Sequence, residues 1–221
     1  MATYVLSDLH GMFDEFIEML DLIRFSNEDE MIVAGDVFDR GKYPLEILDY
    51  IAGRKNIHLI KGNHEQMFID FYETGDAQVW LLSGGTRTYN QIIKKGYMYS
   101  ESLYRYLKNL PSYKVVDNNI ICHAGLYFPK NYKSLTVEQL LDMQDEETLL
   151  WSRSNVGNEK RIEGFNIICG HTPVQAIDNT MNDAHILERN GTYYIDCGCY
   201  YKNNNGRLGC LRLEDKKEFY V

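Results

Sequence analysis

One pattern restricts the possible fold of this chain more than any other, and it occurs five times along the sequence. A short apolar run, typical of a β-strand, ends in a small residue, and a side chain able to bind metal follows. The five segments read YVLSDLH, MIVAGDVFDR, IHLIKGNHE, NIICHAG and NIICGHT. In α/β proteins the carboxyl ends of strands meet at one edge of the sheet, where the following loops border a common crevice. The sequence therefore predicts one crevice that collects the polar side chains of these segments.

The order of strand-like and helical segments predicts two sheets. In the first half, strand-like runs alternate with helical stretches, which predicts a largely parallel sheet covered by helices. These runs are 3–7, 31–34 and 57–60, and the helical stretches lie near 14–23 and 44–52. In the second half, two runs flank an Asp-Asn-Asn turn, which predicts a hairpin. The runs of this half are 113–116, 120–122, 165–169, 185–187, 193–195 and 208–213. We therefore expect an α/β (α+β) fold in which two mixed β-sheets face each other.

The length and composition indicate a single domain. With 221 residues, of which 44% are hydrophobic, the chain can bury one sizeable core. We expect one domain over residues 1–221, with a largely helical insertion at about 65–111. The aromatic residues of this insertion recur at spacings that place them on helix faces, which predicts core packing rather than ligand stacking. They are Phe68, Phe71, Tyr72, Trp80 and Tyr89.

Charge and hydropathy argue against two classes of partner. The net charge of −9 disfavours binding to nucleic acid or to an anionic membrane, because both need clustered Lys and Arg. No apolar run reaches the roughly 18–20 residues that span a bilayer, and the amino-terminal segment lacks an export signal. The five cysteines form an odd set that fits a reducing cytoplasm. Cys197 and Cys199 could bind a soft metal, but their apolar surroundings favour packing as small hydrophobic side chains.

The residues at the strand ends have the chemistry of a metal centre. Four of the six histidines lie there, with two aspartates and one asparagine. Such a mixture of nitrogen and oxygen ligands suits Mn, Fe or Zn better than Ca or Mg, and we expect Mn²⁺ first. Six ligands exceed the needs of one open catalytic site, and a carboxylate such as Asp36 can bridge two ions. The predicted ligands are Asp8, His10, Asp36, Asn63, His123 and His171.

Each motif by itself has an ordinary structural explanation. An Asp-x-His segment is often a capped turn, Gly-Asp a tight loop, and Gly-Asn-His a turn that ends a strand. Only the complete set of motifs, in this order along the chain, indicates a metal centre.

The motifs together resemble a known family. The segments DLH (8–10), GDVFDRG (35–41), GNHE (62–65), HAG (123–125) and GHT (170–172) resemble the phosphoprotein phosphatase family of calcineurin-like metallophosphoesterases. The bacterial and phage branch is most similar, because GNHEQM, WLLSGG, LLWSR, GHTP and YIDCG extend the likeness over nearly the whole chain. The resemblance implies a four-layer αββα sandwich with a dinuclear centre at the edge of the sheets.

The resemblance also implies roles for individual residues. Asp8, His10 and Asp36 would hold one ion, and Asp36 with Asn63, His123 and His171 the other. His64 would be the catalytic histidine, paired with Asp39, and Arg40 and Arg153 would bind phosphoryl oxygens. One departure is Lys61 before GNHE, where many relatives carry Arg, and this should change an outer contact without removing a ligand.

These roles lead to a hypothesis about function. A hydroxide that bridges two metal ions would attack phosphorus in line, while His64 protonates the leaving oxygen. We expect a phosphatase for phosphoserine and phosphothreonine in proteins, extending to phosphotyrosine and small phosphoesters. The first alternative is a dinucleoside polyphosphate hydrolase on a similar scaffold. A binding module that keeps its metals without catalysis is a distant alternative, because no ligand is missing, and the acidic balance disfavours a nuclease.

Overall fold

The strands form two five-stranded sheets in the computed structural model, which describes residues 1–180 and 182–221. The strands are β1 (Thr3–Leu6), β2 (Glu30–Ala34), β3 (Ile57–Ile60), β4 (Tyr113–Val116), β5 (Asn119–Cys122), β6 (Asn166–Cys169), β7 (Leu187–Arg189), β8 (Thr192–Tyr194), β9 (Gly209–Arg212) and β10 (Glu218–Tyr220). The helices are α1 (Phe13–Ile23), α2 (Pro44–Ala52), α3 (Asn63–Thr74), α4 (Gln78–Trp80), α5 (Thr86–Lys95), α6 (Tyr97–Lys108), α7 (Val137–Asp142), α8 (Glu146–Trp151) and α9 (Val174–Ile177).

Each sheet mixes parallel and antiparallel pairs. The first has the order β10-β9-β1-β2-β3, in which β1, β2 and β3 are parallel and β9 runs antiparallel to β1. The second has the order β4-β5-β6-β8-β7, in which β5, β6 and β8 are parallel. The prediction of two mixed sheets is therefore confirmed. Six parallel strands direct their carboxyl ends into loops, three from each sheet.

Alternating side chains on the strands separate two hydrophobic cores. In β1, Tyr4 and Leu6 pack into the core under the helices, whereas Val5 packs into the core that the two sheets share. The same alternation occurs in β2, as expected where both faces of a strand are buried. Leu140 and Leu149, from α7 and α8, join the second core from the far side. The layers are thus helices, sheet, sheet and helices, as the resemblance implied.

Helices α3 to α6, joined by a π-helical turn at Leu81–Gly85, account for most of residues 63–108. Their aromatic side chains pack together, with the Trp80 ring 5.5 Å from Phe68 and 5.4 Å from Phe71 between centroids. Trp80 and Phe68 are buried in the first core. The expectation of core packing is therefore correct for these rings, although Trp80 also has a second contact in the site.

Two strands differ from the sequence prediction. The carboxyl-terminal strand β10 was not predicted, and β7 begins at Leu187, two residues later than expected. Ile186 lies outside the β7–β8 ladder because its N–H donates to the hydroxyl of Tyr220, at 3.0 Å. Ala184 and Ile186 are nevertheless buried, which explains the apolar pattern that suggested a strand there.

All five cysteines are buried and unpaired, and Cys197 and Cys199 pack into the hydrophobic cores. None of the described helices combines the length and the apolar character needed to cross a bilayer.

Candidate active site

The carboxyl ends of strands from both sheets meet at one cavity. His171, after β6, donates its backbone N–H to Oδ2 of Asp8, after β1, at 3.0 Å. His123, after β5, has its Nδ1 2.8 Å from the carbonyl oxygen of Ala34 in β2. These contacts join the edges of the two sheets at a cavity of about 230 Å³. Its lining residues are Asp8, His10, Asp36, Arg40, Asn63, His64, Ser83, Trp151, Arg153, His171, Pro173, Asp196 and Tyr201.

The backbone is bent where it presents these side chains. Six of the eleven non-glycine residues with positive φ in the described chain belong to the predicted site. Positive φ is uncommon outside glycine and costs on the order of 1–3 kcal/mol where it is strained. The cost falls at the strand ends, where the chain must turn polar side chains into the cavity. The six are Asp8, His10, Asp36, Asp39, Arg40 and His171.

Asp36 lies at the centre of the histidine rings. Its Oδ2 is 3.7 Å from Nε2 of His10, 3.5 Å from Nε2 of His123 and 3.9 Å from Nε2 of His64. Two atoms that each lie about 2.0–2.2 Å from one ion can be separated by such distances. The donor set therefore fits divalent metal ions, with Asp36 between two groups of ligands. The ligand atoms of each group lie within 4.8 Å of one another, the groups being His10, Asp36 and His64, and Asp36, His123 and His171.

Asn63 connects the second group. Its Oδ1 is 2.8 Å from Nε2 of His123 and 2.9 Å from Nδ1 of His171. Nδ1 of His123 is occupied by the carbonyl of Ala34, which leaves Nε2 as the atom that can bind an ion. The carbonyl of Phe38 fixes His10 in the same way, at 3.2 Å from its Nδ1.

Electrostatic effects keep three of the proposed ligands, His10, His171 and Asp36, in the form that binds metal. Burial, with the charges of His64 and Arg40, holds the pKa of His10 well below its usual value. Burial also lowers the pKa of His171 to about 3, and the charge of His123 acts in the same direction. Neutral imidazole and ionised carboxylate are the forms that metal ions require. Although burial opposes it, the surrounding histidines, His123 first, hold the pKa of Asp36 below its ordinary value.

His64 belongs to a buried chain of hydrogen bonds. Its Nδ1 is 2.6 Å from Oδ2 of Asp39, and the same oxygen accepts from Nε1 of Trp80 at 2.7 Å. Burial alone would lower the pKa of His64, but the carboxylates of Asp36 and Asp39 outweigh it and raise that pKa. A carboxylate on Nδ1 suits either a general acid or a metal-binding histidine. The geometry is therefore compatible with both roles.

The two predicted arginines both line the cavity. Arg40 donates from Nη1 to Nε2 of His10 at 2.7 Å and from Nη2 to Nε2 of His64 at 3.0 Å. Arg153 is exposed at the rim, and its charge is among the influences that lower the pKa of His171. Both guanidinium groups can therefore reach an anion in the cavity.

Glu65 connects two segments of the site through hydrogen bonds to their backbone, a role the sequence did not suggest. Its carboxylate accepts backbone N–H groups from Asp36 at 2.8 Å, Val37 at 3.0 Å and Gly62 at 2.8 Å. Burial and the nearby Asp36 carboxylate raise the pKa of Glu65 to about 7. Three donors around one carboxylate tie the loop after β2 to the start of α3.

Six further residues of the site were not predicted: Ser83, Trp151, Pro173, Asp196 and Tyr201 line the cavity, and Trp80 donates a hydrogen bond to Asp39. Asp196 follows β8, is buried and accepts the N–H of Gly198 at 2.8 Å. The segment YIDCG repeats the pattern of an apolar run before a carboxylate, so this signal could have identified it. Trp80 and Tyr201 had no comparable signal. The predicted departure, Lys61, is buried and pairs with Glu146 at 2.7 Å, outside the cavity.

The chain is similar to proteins of one family. Residues 1–203 match the profile of the family described as calcineurin-like phosphoesterase. The serine/threonine-protein phosphatase 2 of Escherichia coli (strain K12) is 34% identical over 223 residues, which cover 96% of this chain and 92% of the relative. A symmetrical bis(5'-nucleosyl)-tetraphosphatase of Haemophilus ducreyi is 45% identical over 67 residues, only 29% of this chain and 25% of the relative. The structure of a serine/threonine phosphatase from Saccharomyces cerevisiae shares the fold, with a TM-score of 0.67 at 15% identity, over 100% of this chain and 78% of that chain.

Proposed function

Since the chain belongs to the calcineurin-like phosphoesterase family, we propose that it is a dinuclear, manganese-dependent phosphatase for phosphoserine and phosphothreonine in proteins. The observation that carries the proposal is the pairing of His64 with Asp39 beside the ligands around Asp36. A relative that matches over nearly its whole length, the phosphatase of Escherichia coli, supports the choice of substrate.

The residues of the site fit two divalent ions. Asp8, His10 and Asp36 would hold one, and Asp36 would share the other with the second group of ligands. That group is Asn63, His123 and His171. Bound ions would supply positive charge for the phosphoryl oxygens and would acidify a water molecule for attack on phosphorus.

The remaining side chains would have distinct roles in the transfer of the phosphoryl group to water. Arg40 and Arg153 would bind the phosphoryl oxygens, which Arg does well because its planar group donates two parallel hydrogen bonds. His64 would give a proton from Nε2 to the leaving oxygen of serine or threonine, which cannot leave readily as an alkoxide. Asp39 fixes the His64 ring through Nδ1, so that Nε2 faces the cavity.

Substitution His64→Asn tests the assignment of the acid. We expect turnover of a simple aryl phosphate to fall by about 100- to 10,000-fold, which is the usual contribution of a positioned acid or base. The metal content, measured by elemental analysis after purification with manganese, should remain that of the wild type. Loss of metal from this variant would instead make His64 a ligand, in agreement with its position near Asp36.

A dinucleoside polyphosphate hydrolase is the second candidate. Two aromatic rings line the cavity with exposed surface, Trp151 at 37% and Tyr201 at 40%, and such rings can stack on nucleobases. The short match to a tetraphosphatase points the same way. A comparison of kcat/KM for a phosphopeptide and for diadenosine tetraphosphate, with manganese, separates the candidates. Turnover of any of these substrates would exclude a binding module without catalysis.

A further inference from the structure

A second cavity, of about 550 Å³, adjoins the candidate active site. Arg40 lines both cavities, so the second opens from the place where a phosphoryl group would be held. Most of its wall is one face of α5. The lining residues are Arg40, Gly84, Thr86, Arg87, Asn90, Gln91 and Lys94.

The lining of this second cavity, which we call the groove, is cationic and polar. Positions 87, 90, 91 and 94 recur at the spacing of one helix face, and the seven steps from position 87 to position 94 rise about 10 Å along the helix. No lining residue is acidic or aromatic. In a chain with a net charge of −9, a groove that carries Arg40, Arg87 and Lys94 without one carboxylate is a local exception.

The cations of the groove differ from their neighbour on the same helix. Lys95 pairs with Asp49 at 3.1 Å and lies 4.2 Å from the ring centre of Tyr99. Among the residues that the structure describes, Arg87 and Lys94 form no such pair within 4.0 Å, and both are exposed. Their charges are therefore available to an anionic ligand.

The chemistry of the groove favours a peptide over a polyphosphate chain. Asn90 and Gln91 each offer a donor and an acceptor, which match the N–H and C=O groups of a peptide backbone. A polyphosphate presents acceptors alone, and a nucleoside would gain from an aromatic ring that this groove lacks. A span of about 10 Å accommodates about three residues of an extended peptide.

We propose that this groove binds acidic residues within three positions of the phosphorylated residue, and so gives the enzyme a preference for acidic phosphopeptides. The inference rests on the proposed protein phosphatase activity and specifies its substrate class. Arg87 and Lys94 are the residues that set the preference. Each exposed ion pair is worth about 1.5- to 5-fold, so two pairs predict a preference of about 2- to 25-fold.

The test compares two phosphoserine peptides that differ only in their flanks, Asp and Glu in one and Asn and Gln in the other. The readout is the ratio of their kcat/KM values within each variant, so a general loss of activity cancels. We expect the wild type to prefer the acidic peptide, and the preference to shrink as salt is raised. The ratio should approach one in the double variant R87Q/K94Q and reverse in R87E/K94E. The matched variant K95Q should keep the wild-type ratio.

Each contrary outcome has a distinct meaning. A ratio near one in the wild type, or a preference that R87Q/K94Q leaves unchanged, overturns the groove assignment alone. If R87Q/K94Q slows diadenosine tetraphosphate hydrolysis while the peptide ratio stays constant, the groove takes a polyphosphate and the proposal is wrong. Failure to hydrolyse either peptide, while an aryl phosphate is turned over, overturns the proposed protein phosphatase activity and this inference with it.

Discussion

Asp39 is fully buried, and its Oδ2 accepts hydrogen bonds from both His64 and Trp80. Substitution Asp39→Asn keeps the size of the side chain but removes its charge. Because both bonds end on the same oxygen, the amide oxygen of Asn can keep both, yet it lacks the negative charge that helps to raise the pKa of His64 and to stabilise its protonated form. We expect kcat for an aryl phosphate to fall by about 10- to 1,000-fold, and by no more than in His64→Asn.

The control for this change is Asp49→Asn. Asp49 is an exposed carboxylate that pairs with Lys95, away from the cavity, so its loss should leave kcat within about twofold of the wild type. Metal content should be unchanged in both variants. Wild-type turnover by Asp39→Asn would show that the charge of Asp39 has no part in proton transfer.

Single residues of the site differ in how far the sequence predicts them. His123 and His171 follow apolar strand-like runs, so their position at the sheet edge is visible in the local pattern. Trp80 gives no such signal, because its bond to Asp39 joins residues 41 positions apart. Its aromatic character predicts packing alone. Asp196 carries the local signal but lies in the cavity without an evident partner among the predicted ligands.

Among the elements, the π-helical turn before α5 controls the position of Arg40. Gly84 in this turn has φ of 106°, and a Cβ atom there would lie 2.7 Å from Cγ of Arg40. The carbonyl of Gly84 also accepts the backbone N–H of Arg40, at 3.1 Å. Substitution Gly84→Ala should therefore displace the guanidinium group. We expect inorganic phosphate to inhibit aryl phosphate turnover about 5- to 50-fold less effectively, as fits the loss of one charge-assisted contact.

Gly75→Ala is the matched control for the loss of stability that alanine causes at positive φ. Gly75 ends α3 with φ of 78°, and nothing lies within 4 Å of the place where its Cβ would be. Both alanine variants should lose about 1–2 kcal/mol of stability because alanine is strained at positive φ. Only Gly84→Ala should weaken phosphate inhibition. Equal inhibition constants in the two variants would contradict the role given to the turn.

The strands and helices could be predicted where the periodicity of the apolar residues matches the faces that the fold buries. Strands β1 to β3 and helices α1 and α2 have buried faces with regular periodicity, and their predicted bounds lie within one residue of the structure. β10 was missed because its three residues are not fully buried. They form a strand only through their pairing with β9. Such a strand depends on a partner chosen by the whole fold, which a local pattern does not contain.

At the scale of the whole molecule, the site lies where the two sheets meet. The proposed ligands come from the ends of three strands of the first sheet and two of the second, and hydrogen bonds from His123 to Ala34 and from His171 to Asp8 join these edges. Asp8 and Asp36 are both buried there. Burial raises the pKa of Asp8, the charge of Asp36 adds to this effect, and the charge of His123 opposes it. Divalent ions would relieve this cost and fasten one sheet to the other. We therefore expect metal binding to be coupled to the stability of the fold.

Removal of metal by a chelator should consequently lower the stability of the protein as well as its activity. A ligand present at about 100 times its Kd stabilises the folded state by about 2.7 kcal/mol, which for a chain of this length corresponds to about 5–10 °C in Tm. Calorimetry before and after chelation, and again after added manganese, measures the change. His171→Asn, which removes a proposed ligand, should lose most of the manganese-dependent rise. His185→Asn should keep it, since His185 lies outside the cavity. Equal rises in both variants would mean that His171 binds no ion.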